Sequence, residues 1–145
     1  MDWRVGLLTL AVAATALGGC ASSAESDTPE DSVKVRLVIP DGNIRPPDVP
    51  CAGANAFRYA HPEASYVIKD ADGRTVASGS LPQGTSEKAW NLDLGDRPQP
   101  TICVMMLDVA GVDSVEHATL SIDGRPPKPI RPNRNMDDIP EVDLK

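Results

Sequence analysis

The density of residues that interrupt helices is the sequence feature that most restricts the fold of this chain. Fourteen prolines and eleven glycines are spread along 145 residues. Proline lacks a backbone donor and fixes its own φ angle, and both residue types interrupt long helices. The length of the chain fits a single domain. We therefore expect an all-β domain that is built from short strands and turns.

Alternating apolar residues predict where several of these strands lie. Apolar side chains occupy every second position from Val33 to Ile39, which is the period of a half-buried strand. An Asp-Gly turn joins two strands that we predict at 65–69 and 74–78. Leu81 to Gly84 is expected to form a loop. Further strands are predicted at 90–94, at 102–107 and at 115–122. The run at 102–107 is apolar on both faces, which is typical of a central strand.

About six or seven short strands, spaced about ten residues apart, predict a small antiparallel β-sandwich over residues 33–131. This pattern resembles that of secreted immunoglobulin-like modules, although two of their hallmarks are missing. Thr101 stands where those modules carry a tyrosine, two residues before the second cysteine. Trp90 precedes Cys103, whereas in those modules a tryptophan soon follows the first cysteine. The resemblance therefore implies the architecture and no specific family.

The first twenty residues follow the order of an export signal. Arg4 precedes an apolar run over 5–17, which has the length of a signal-peptide core and is too short to span a bilayer. The run ends in Leu17-Gly18-Gly19-Cys20, which resembles the lipobox of bacterial lipoproteins. The resemblance implies that residues 1–19 are a signal peptide. It also implies that acyl chains on Cys20 anchor the protein to the cell membrane, on the extracytoplasmic face.

The segments that flank the predicted domain have compositions that bury little apolar surface. Residues 20–32 are rich in Ala, Ser, Glu and Asp, which is typical of a flexible tether. Residues 132–145 contain four acidic side chains, and we expect them to form a disordered tail. The alternative is that 139–144 pairs as an edge strand with a partner. A basic, proline-spaced segment at 125–132 precedes this tail.

Two cysteines remain for the domain once Cys20 is assigned to the lipid. In an exported protein, Cys51 and Cys103 most simply form a disulfide bond. Such a bond would stabilise the fold by about 4 kcal/mol in the loop-entropy description and would attach a proline-rich loop to the central strand. Metal binding or nucleophilic chemistry by the thiolates is the alternative, and no CxxC spacing favours it.

Other polar residues give only weak patterns for a chemical site. Asp70 to Gly73 begins like a calcium loop, but Arg74 to Val76 supply no further acidic ligand, so a hairpin turn is favoured. The residues that could bind copper are His61, Met105, Met106 and His117. Adjacent methionines in a strand point to opposite faces, which argues against one shared site. No serine stands in a GxSxG context, and no Gly-rich phosphate loop precedes a helix. We therefore predict no catalytic residue, no metal site and no cofactor.

Charge and the predicted anchor lead to an expectation about function. The formal net charge is −7 and the isoelectric point is about 4.7. Such a chain repels phosphate backbones, so we expect no nucleic-acid partner. We expect a non-catalytic binding or accessory module whose partners are the lipid bilayer, through acylated Cys20, and an envelope protein. The alternative is a carrier of a small ligand or a metal. The surfaces that we expect to bind are the loop Ile44–Cys51 and the segment Arg125–Pro132.

Overall fold

A computed structural model describes residues 32–90, 94–95, 97–133 and 138–145. The described part contains one 3₁₀ turn, Asn55–Phe57, and no helix in it is long and apolar enough to cross a membrane. Nine strands lie in this part of the chain. They are β1 (Ser32–Pro40), β2 (Pro50–Cys51), β3 (Ser65–Lys69), β4 (Thr75–Ser80), β5 (Gly84–Lys88), β6 (Thr101–Ala110), β7 (Thr119–Ile122), β8 (Lys128–Pro129) and β9 (Glu141–Asp143).

These strands form two sheets that pack face to face. The five-stranded sheet has the order β2-β5-β6-β1-β9, and the four-stranded sheet has the order β4-β3-β7-β8. All strand pairs are antiparallel except β1 with β9. The predicted small, all-β sandwich is therefore confirmed, with nine described strands where about six or seven were expected.

One apolar core lies between the two sheets. Because side chains alternate along a strand, every second residue of β1 and β6 points into it. The fully buried residues of the five-stranded sheet include Val35, Leu37, Ile39, Met105 and Leu107. Ile68 and Leu120 face them from the four-stranded sheet. β6 pairs with β5 on one side and with β1 on the other, so the prediction of a central strand at 102–107 is confirmed.

The predicted hairpin is also present, as β3 and β4. The Asp70 carboxylate accepts hydrogen bonds from the main-chain N–H groups of Asp72 and Arg74, both at 2.9 Å. Gly73 has a φ of 80° and donates its N–H to the Asp70 carbonyl. This turn uses the Asp-Gly pair as the sequence predicted, because glycine adopts positive φ without steric cost.

Two predicted strands differ in extent from those of the structure. The strand predicted at 115–122 is β7, and the residues before it form a turn in which His117 has a φ of 61°. The strand predicted at 90–94 falls partly on 91–93, which lie outside the described residues. The observed strand nearby is β5, at 84–88, immediately before Trp90. Its inward-facing residues are Gly84 and Ser86, which produce no apolar alternation.

The C-terminal segment differs from the disordered tail that we predicted for 132–145. Residues 141–143 form β9, which pairs in parallel with β1. Val142 and Leu144 are buried in the core. The sandwich therefore includes residues beyond the predicted boundary at 131. Val142 and Leu144 alternate with charged residues, so the segment buries apolar surface even though its composition is acidic. The alternative prediction was an edge strand at 139–144 that pairs with a partner. It gave the correct local structure, but the strand pairs with β1 of the same chain.

Candidate binding site at the proline-rich end

The loop that follows β1 is held in place from its first residue. We call residues 41–50 the proline-rich loop. The Asp41 side chain is fully buried, and its Oδ1 accepts a hydrogen bond from the Asn43 N–H at 2.9 Å. Arg45 Nη2 lies 3.2 Å from Asp41 Oδ2, which is an ion-pair distance without hydrogen-bond geometry. A buried carboxylate thus organises the first turn of the loop.

Two buried hydroxyl groups attach the proline-rich loop to the five-stranded sheet. Thr101, the first residue of β6, donates both its N–H and its Oγ1 hydrogen to the Asn43 carbonyl, at 2.9 and 3.0 Å. Ser86 in β5 donates its hydroxyl to the Pro46 carbonyl at 2.7 Å and accepts from the Val49 N–H at 3.2 Å. These bonds satisfy loop groups that proline-rich sequence leaves without regular backbone partners. The loop is therefore attached at both of its ends.

A disulfide bond closes the far end of the loop, as predicted. Cys51 and Cys103 are joined with a Cα–Cα distance of 5.7 Å, within the usual range for disulfides. Gly84 lies directly beneath this bond, because a Cβ built on it would be 2.5 Å from Cys103 Sγ. The bond connects β2 to the central strand β6 of the same sheet, so it attaches the loop as expected.

A cleft of about 470 Å³ lies between the proline-rich loop and the segment that leads into β6. This volume lies in the range of small-ligand and peptide pockets. We call it the proline-rich cleft. Its apolar lining comes from Ile44, Pro46, Pro47 and Pro98. Its charged lining comes from Arg45, Lys88 and Arg97.

The three cations of the cleft differ in what they contact. Arg45 is paired with Asp41. Lys88 and Arg97 are exposed, and neither side chain forms an ion pair or a hydrogen bond with any part of the chain that the structure describes. Two cations without an ion-pair partner therefore lie at one cleft of a chain whose net charge is −7. Such cations attract negative charge over roughly one screening length, about 10 Å at an ionic strength of about 0.1 M.

Large apolar side chains are exposed at the same end of the sandwich. Ile44 is 64 % exposed and Trp90 is 56 % exposed, the two highest values for large apolar residues in the described ranges. Ala89, just before Trp90, donates its N–H to the Pro100 carbonyl, which places Trp90 beside the entry to β6. Exposed aromatic and aliphatic groups next to cations are the composition of a binding surface.

A buried amide completes the lining of the proline-rich cleft. Gln99 is only 8 % exposed. Its Oε1 and the Asp41 Oδ2 are the two buried side-chain oxygens, among the described residues, that have no hydrogen-bond partner. Buried polar atoms almost always have partners in folded proteins, so these two oxygens are exceptions, and both lie too deep for a ligand in the cleft to contact them.

The other predicted surface, 125–132, lies at a different cleft. This cleft, of about 610 Å³, opens between β8 and β9, and we call it the β8–β9 cleft. Its acids are already paired, because Glu141 contacts Arg36 at 2.5 Å and Asp143 contacts Lys145 at 2.6 Å. Lys128 Nζ donates to the Lys145 carbonyl at 2.5 Å. The exposed Arg131 side chain, which also lines this cleft, forms no ion pair or hydrogen bond with the described residues.

The histidines and methionines that could bind copper do not lie together in one site of the described structure. Met105 is fully buried, whereas Met106 is 36 % exposed on the opposite face. His61 Nδ1 contacts the Pro62 carbonyl, and His117 contacts its neighbour Glu116. In the ranges that the structure describes, no three residues among His, Cys, Asp and Glu are grouped to hold a metal ion.

The carboxylate that begins the calcium-like pattern serves the hairpin turn. The pKa of Asp70 is lowered, first because the Arg74 main-chain N–H donates to its carboxylate and also because the Arg74 side chain does so. The Arg74 guanidinium contacts both Asp70 and Asp72. Cys20, the predicted lipidation site, lies outside the described residues.

Several residues of the proline-rich cleft carried no signal in the sequence. Lys88 ends β5, whereas Arg97 and Gln99 lie in the segment before β6, and only the packing of these segments brings them to one cleft. The proline density of 46–50 was a usable signal for the loop itself.

Comparison of the chain with family models, with curated proteins and with solved structures gives no match.

Proposed function

We propose that this chain is a lipid-anchored, extracytoplasmic binding module without catalytic chemistry, and that an envelope protein binds at the proline-rich cleft. The observation that carries the proposal is the pairing state of this cleft. A pre-formed loop there presents unpaired cations and exposed apolar groups, which are groups that a partner can contact. Binding to a pre-organised surface avoids much of the entropic cost of ordering a loop.

The position of the cleft is consistent with a tethered domain. Ser32 starts β1 and pairs with Ala110, whereas Pro40 ends it and pairs with Ile102. The nine residues of β1 extend over roughly 27 Å at a rise of about 3.4 Å per residue. A tether that enters at Ser32 is therefore attached at the end of the sandwich opposite to the proline-rich cleft. The proposed anchor would leave that cleft facing away from the attachment point.

The test of the binding proposal is photo-crosslinking in intact cells. A photoreactive amino acid replaces Ile44 at the mouth of the cleft. The matched control carries it at Ala71, an exposed position in the β3–β4 turn. We expect one dominant crosslinked protein from position 44 and none above background from position 71. Equal patterns at the two positions, or no adduct at position 44, would overturn the proposed surface.

The anchor is tested separately, by mass spectrometry of the purified N-terminal peptide and by membrane fractionation. Two or more acyl chains on one residue give a lasting attachment, since each buried methylene contributes about 0.8 kcal/mol. We expect a mature chain that begins at acylated Cys20, and we expect Cys20→Ser to abolish the acylation. An unmodified Cys20 in a chain that keeps residues 1–19 would contradict the lipoprotein proposal.

A further inference from the structure

The first residue of the proline-rich loop is a buried acid that contacts one of the three cations of the cleft. The Asp41 side chain is fully buried, and its Oδ2 lies 3.2 Å from Arg45 Nη2. Its Oδ1 accepts the Asn43 N–H at 2.9 Å. A carboxylate that is removed from water destabilises a fold unless a cation and hydrogen-bond donors compensate it. Asp41 therefore holds Arg45 against the base of the loop.

Arg45 is consequently a different kind of cation from Lys88 and Arg97, although all three line the cleft. Its side chain is 27 % exposed and lies against a carboxylate of opposite charge. Lys88 and Arg97 are exposed and have no ion-pair partner in the ranges that the structure describes. Because the field of a neighbouring carboxylate offsets that of a guanidinium, Arg45 attracts a further anion less strongly than a free arginine does. Asp41 thus limits the positive charge that the cleft offers to a ligand.

The same carboxylate also fixes the chain around Ile44. On one side, the Asn43 N–H donates to Asp41, and the Asn43 carbonyl accepts the N–H and Oγ1 hydrogens of Thr101. On the other side, Arg45 is held by its ion pair. Ile44 is nevertheless 64 % exposed, so an apolar side chain projects from a turn whose neighbours are fixed. A partner contacts such a side chain without the entropic cost of ordering the turn.

We infer that Asp41 is a positioning residue that determines the specificity of the proline-rich cleft: its buried carboxylate holds the turn that presents Ile44 and withholds Arg45 from ligands. This inference rests on the proposed function and concerns which partners the same cleft accepts. A partner that packs on Ile44 is favoured, whereas polyanions are disfavoured because Arg45 is already neutralised. Loss of the Asp41 charge should therefore release a third cation and loosen the turn, which weakens selection in both respects.

The first measurement compares the rates at which phenylglyoxal modifies the arginines of the full chain in detergent, read out by mass spectrometry of peptides. In wild type, Arg45 should react several-fold more slowly than Arg97. Asp41→Asn keeps the side-chain shape and an oxygen for the Asn43 N–H. It should speed the modification of Arg45 by about fivefold, the effect of roughly one nearby charge, and leave Arg97 unchanged. Equal rates at the two arginines in wild type, whether or not the variant folds, would overturn the pairing.

The second measurement is elution from a heparin column in a salt gradient, which uses a sulfated polyanion as the probe. Asp41→Asn should elute at higher salt than wild type, because Arg45 is then free to contact sulfate groups. The matched control is Asp113→Asn, which removes an exposed acid outside the proline-rich cleft and should shift elution less. Addition of Arg45→Met to Asp41→Asn should reverse the shift. Equal elution of the two single variants, or a shift that persists in the double variant, would contradict the withholding of Arg45.

Crosslinking from position 44 separates this inference from the proposed function. In the Asp41→Asn background, the share of the dominant adduct should fall about fivefold relative to wild type, again the effect of roughly one charge. An unchanged share would overturn the specificity role of Asp41 and leave the proposed binding surface standing. If position 44 gives no dominant adduct in wild type, the proposed function is wrong and the inference falls with it.

Discussion

The proline-rich cleft and the β8–β9 cleft are both lined by prolines and charged side chains, but their polar groups are used differently. At the β8–β9 cleft both acids are paired, Asp143 with Lys145 and Glu141 with Arg36, and the cation Arg131 has no partner among the described residues. At the proline-rich cleft the buried groups hold the loop and the exposed cations have no acid beside them among the described residues. The two clefts thus differ in degree: the larger one has paired acids and one unpaired cation, whereas the smaller one has two unpaired cations and exposed apolar groups.

The two regions also differ in what fixes them to the sheet. Buried hydroxyl groups and a disulfide bond attach the proline-rich loop. At the C-terminus, the residues of β9 are attached by a short parallel ladder, by Val142 and Leu144 in the core, and by Arg36. We therefore expect perturbation of the disulfide to affect the first region most, and perturbation of the ion pairs to affect the second.

The largest effect is expected from removal of the disulfide bond. The double substitution Cys51→Ala with Cys103→Ala opens a loop with a sequence separation of 52 residues. The free energy of unfolding should fall by about 4 kcal/mol, since the unfolded chain gains the freedom of that loop. Chemical denaturation measures it. A loss below about 1 kcal/mol would show that the hydroxyl contacts alone hold the loop.

Arg36 provides the corresponding test at the C-terminal region. Its guanidinium contacts Glu87 of β5 at 2.6 Å and Glu141 of β9 at 2.5 Å, and its side chain is 9 % exposed. Arg36→Met leaves two carboxylates without a cation and should lower the free energy of unfolding by about 1.5–3 kcal/mol, the range for hydrogen bonds to charged groups.

The control for Arg36 is Lys34 on the same strand. Lys34 pairs with Asp108, and both side chains are 58 % exposed. Lys34→Met should change the free energy of unfolding by less than about 1 kcal/mol, as is usual for surface ion pairs. Equal effects of the two substitutions in urea denaturation would contradict the distinction between a bridging and a surface cation.

Ser86 tests whether the proline-rich loop is held by its buried hydroxyl. Ser86→Ala leaves the Pro46 carbonyl and the Val49 N–H without that partner. We expect a loss of about 1–2 kcal/mol, within the cost of unsatisfied buried groups. Ser80→Ala, at an exposed position in β4, is the matched control and should have no measurable effect. If Ser86→Ala also leaves the midpoint unchanged, the loop has another attachment.

The sequence was sufficient for the fold class, the central strand, the β3–β4 hairpin and the disulfide, because each depends on local pattern or on a single pair. It was insufficient for β5, whose inward residues Gly84 and Ser86 are small because the disulfide and the loop lie above them. It was also insufficient for β9, whose partner Arg36 lies 105 residues away from Glu141.

The sequence likewise predicted one part of the candidate site and missed another. The proline density marked Ile44–Cys51 as a surface, and that segment does line the proline-rich cleft. Lys88, Arg97 and Gln99 carry no local signal, since their meaning depends on which segments pack beside them. A charged residue is available to a ligand only if it has no ion-pair partner already. This depends on which segments pack together, so it cannot be read from composition.

The smallest expected effect concerns Lys145 and Asp143, the exposed pair beside the β8–β9 cleft. The pKa of Lys145 is raised, chiefly because its side chain donates to the Asp143 carboxylate. While Asp143 is ionised, the pair contributes fully below the ordinary lysine pKa of about 10.4, and its contribution is lost as the pH rises through the raised value. An NMR titration of the Lys145 ε-methylene should show the raised pKa, and Asp143→Asn should return it towards that ordinary value. Stability at pH 7 should respond to added salt only slightly, because exposed pairs are screened. A strong loss of stability from Asp143→Asn at neutral pH would mean that the C-terminal region depends on its surface charges as the proline-rich loop depends on its buried groups.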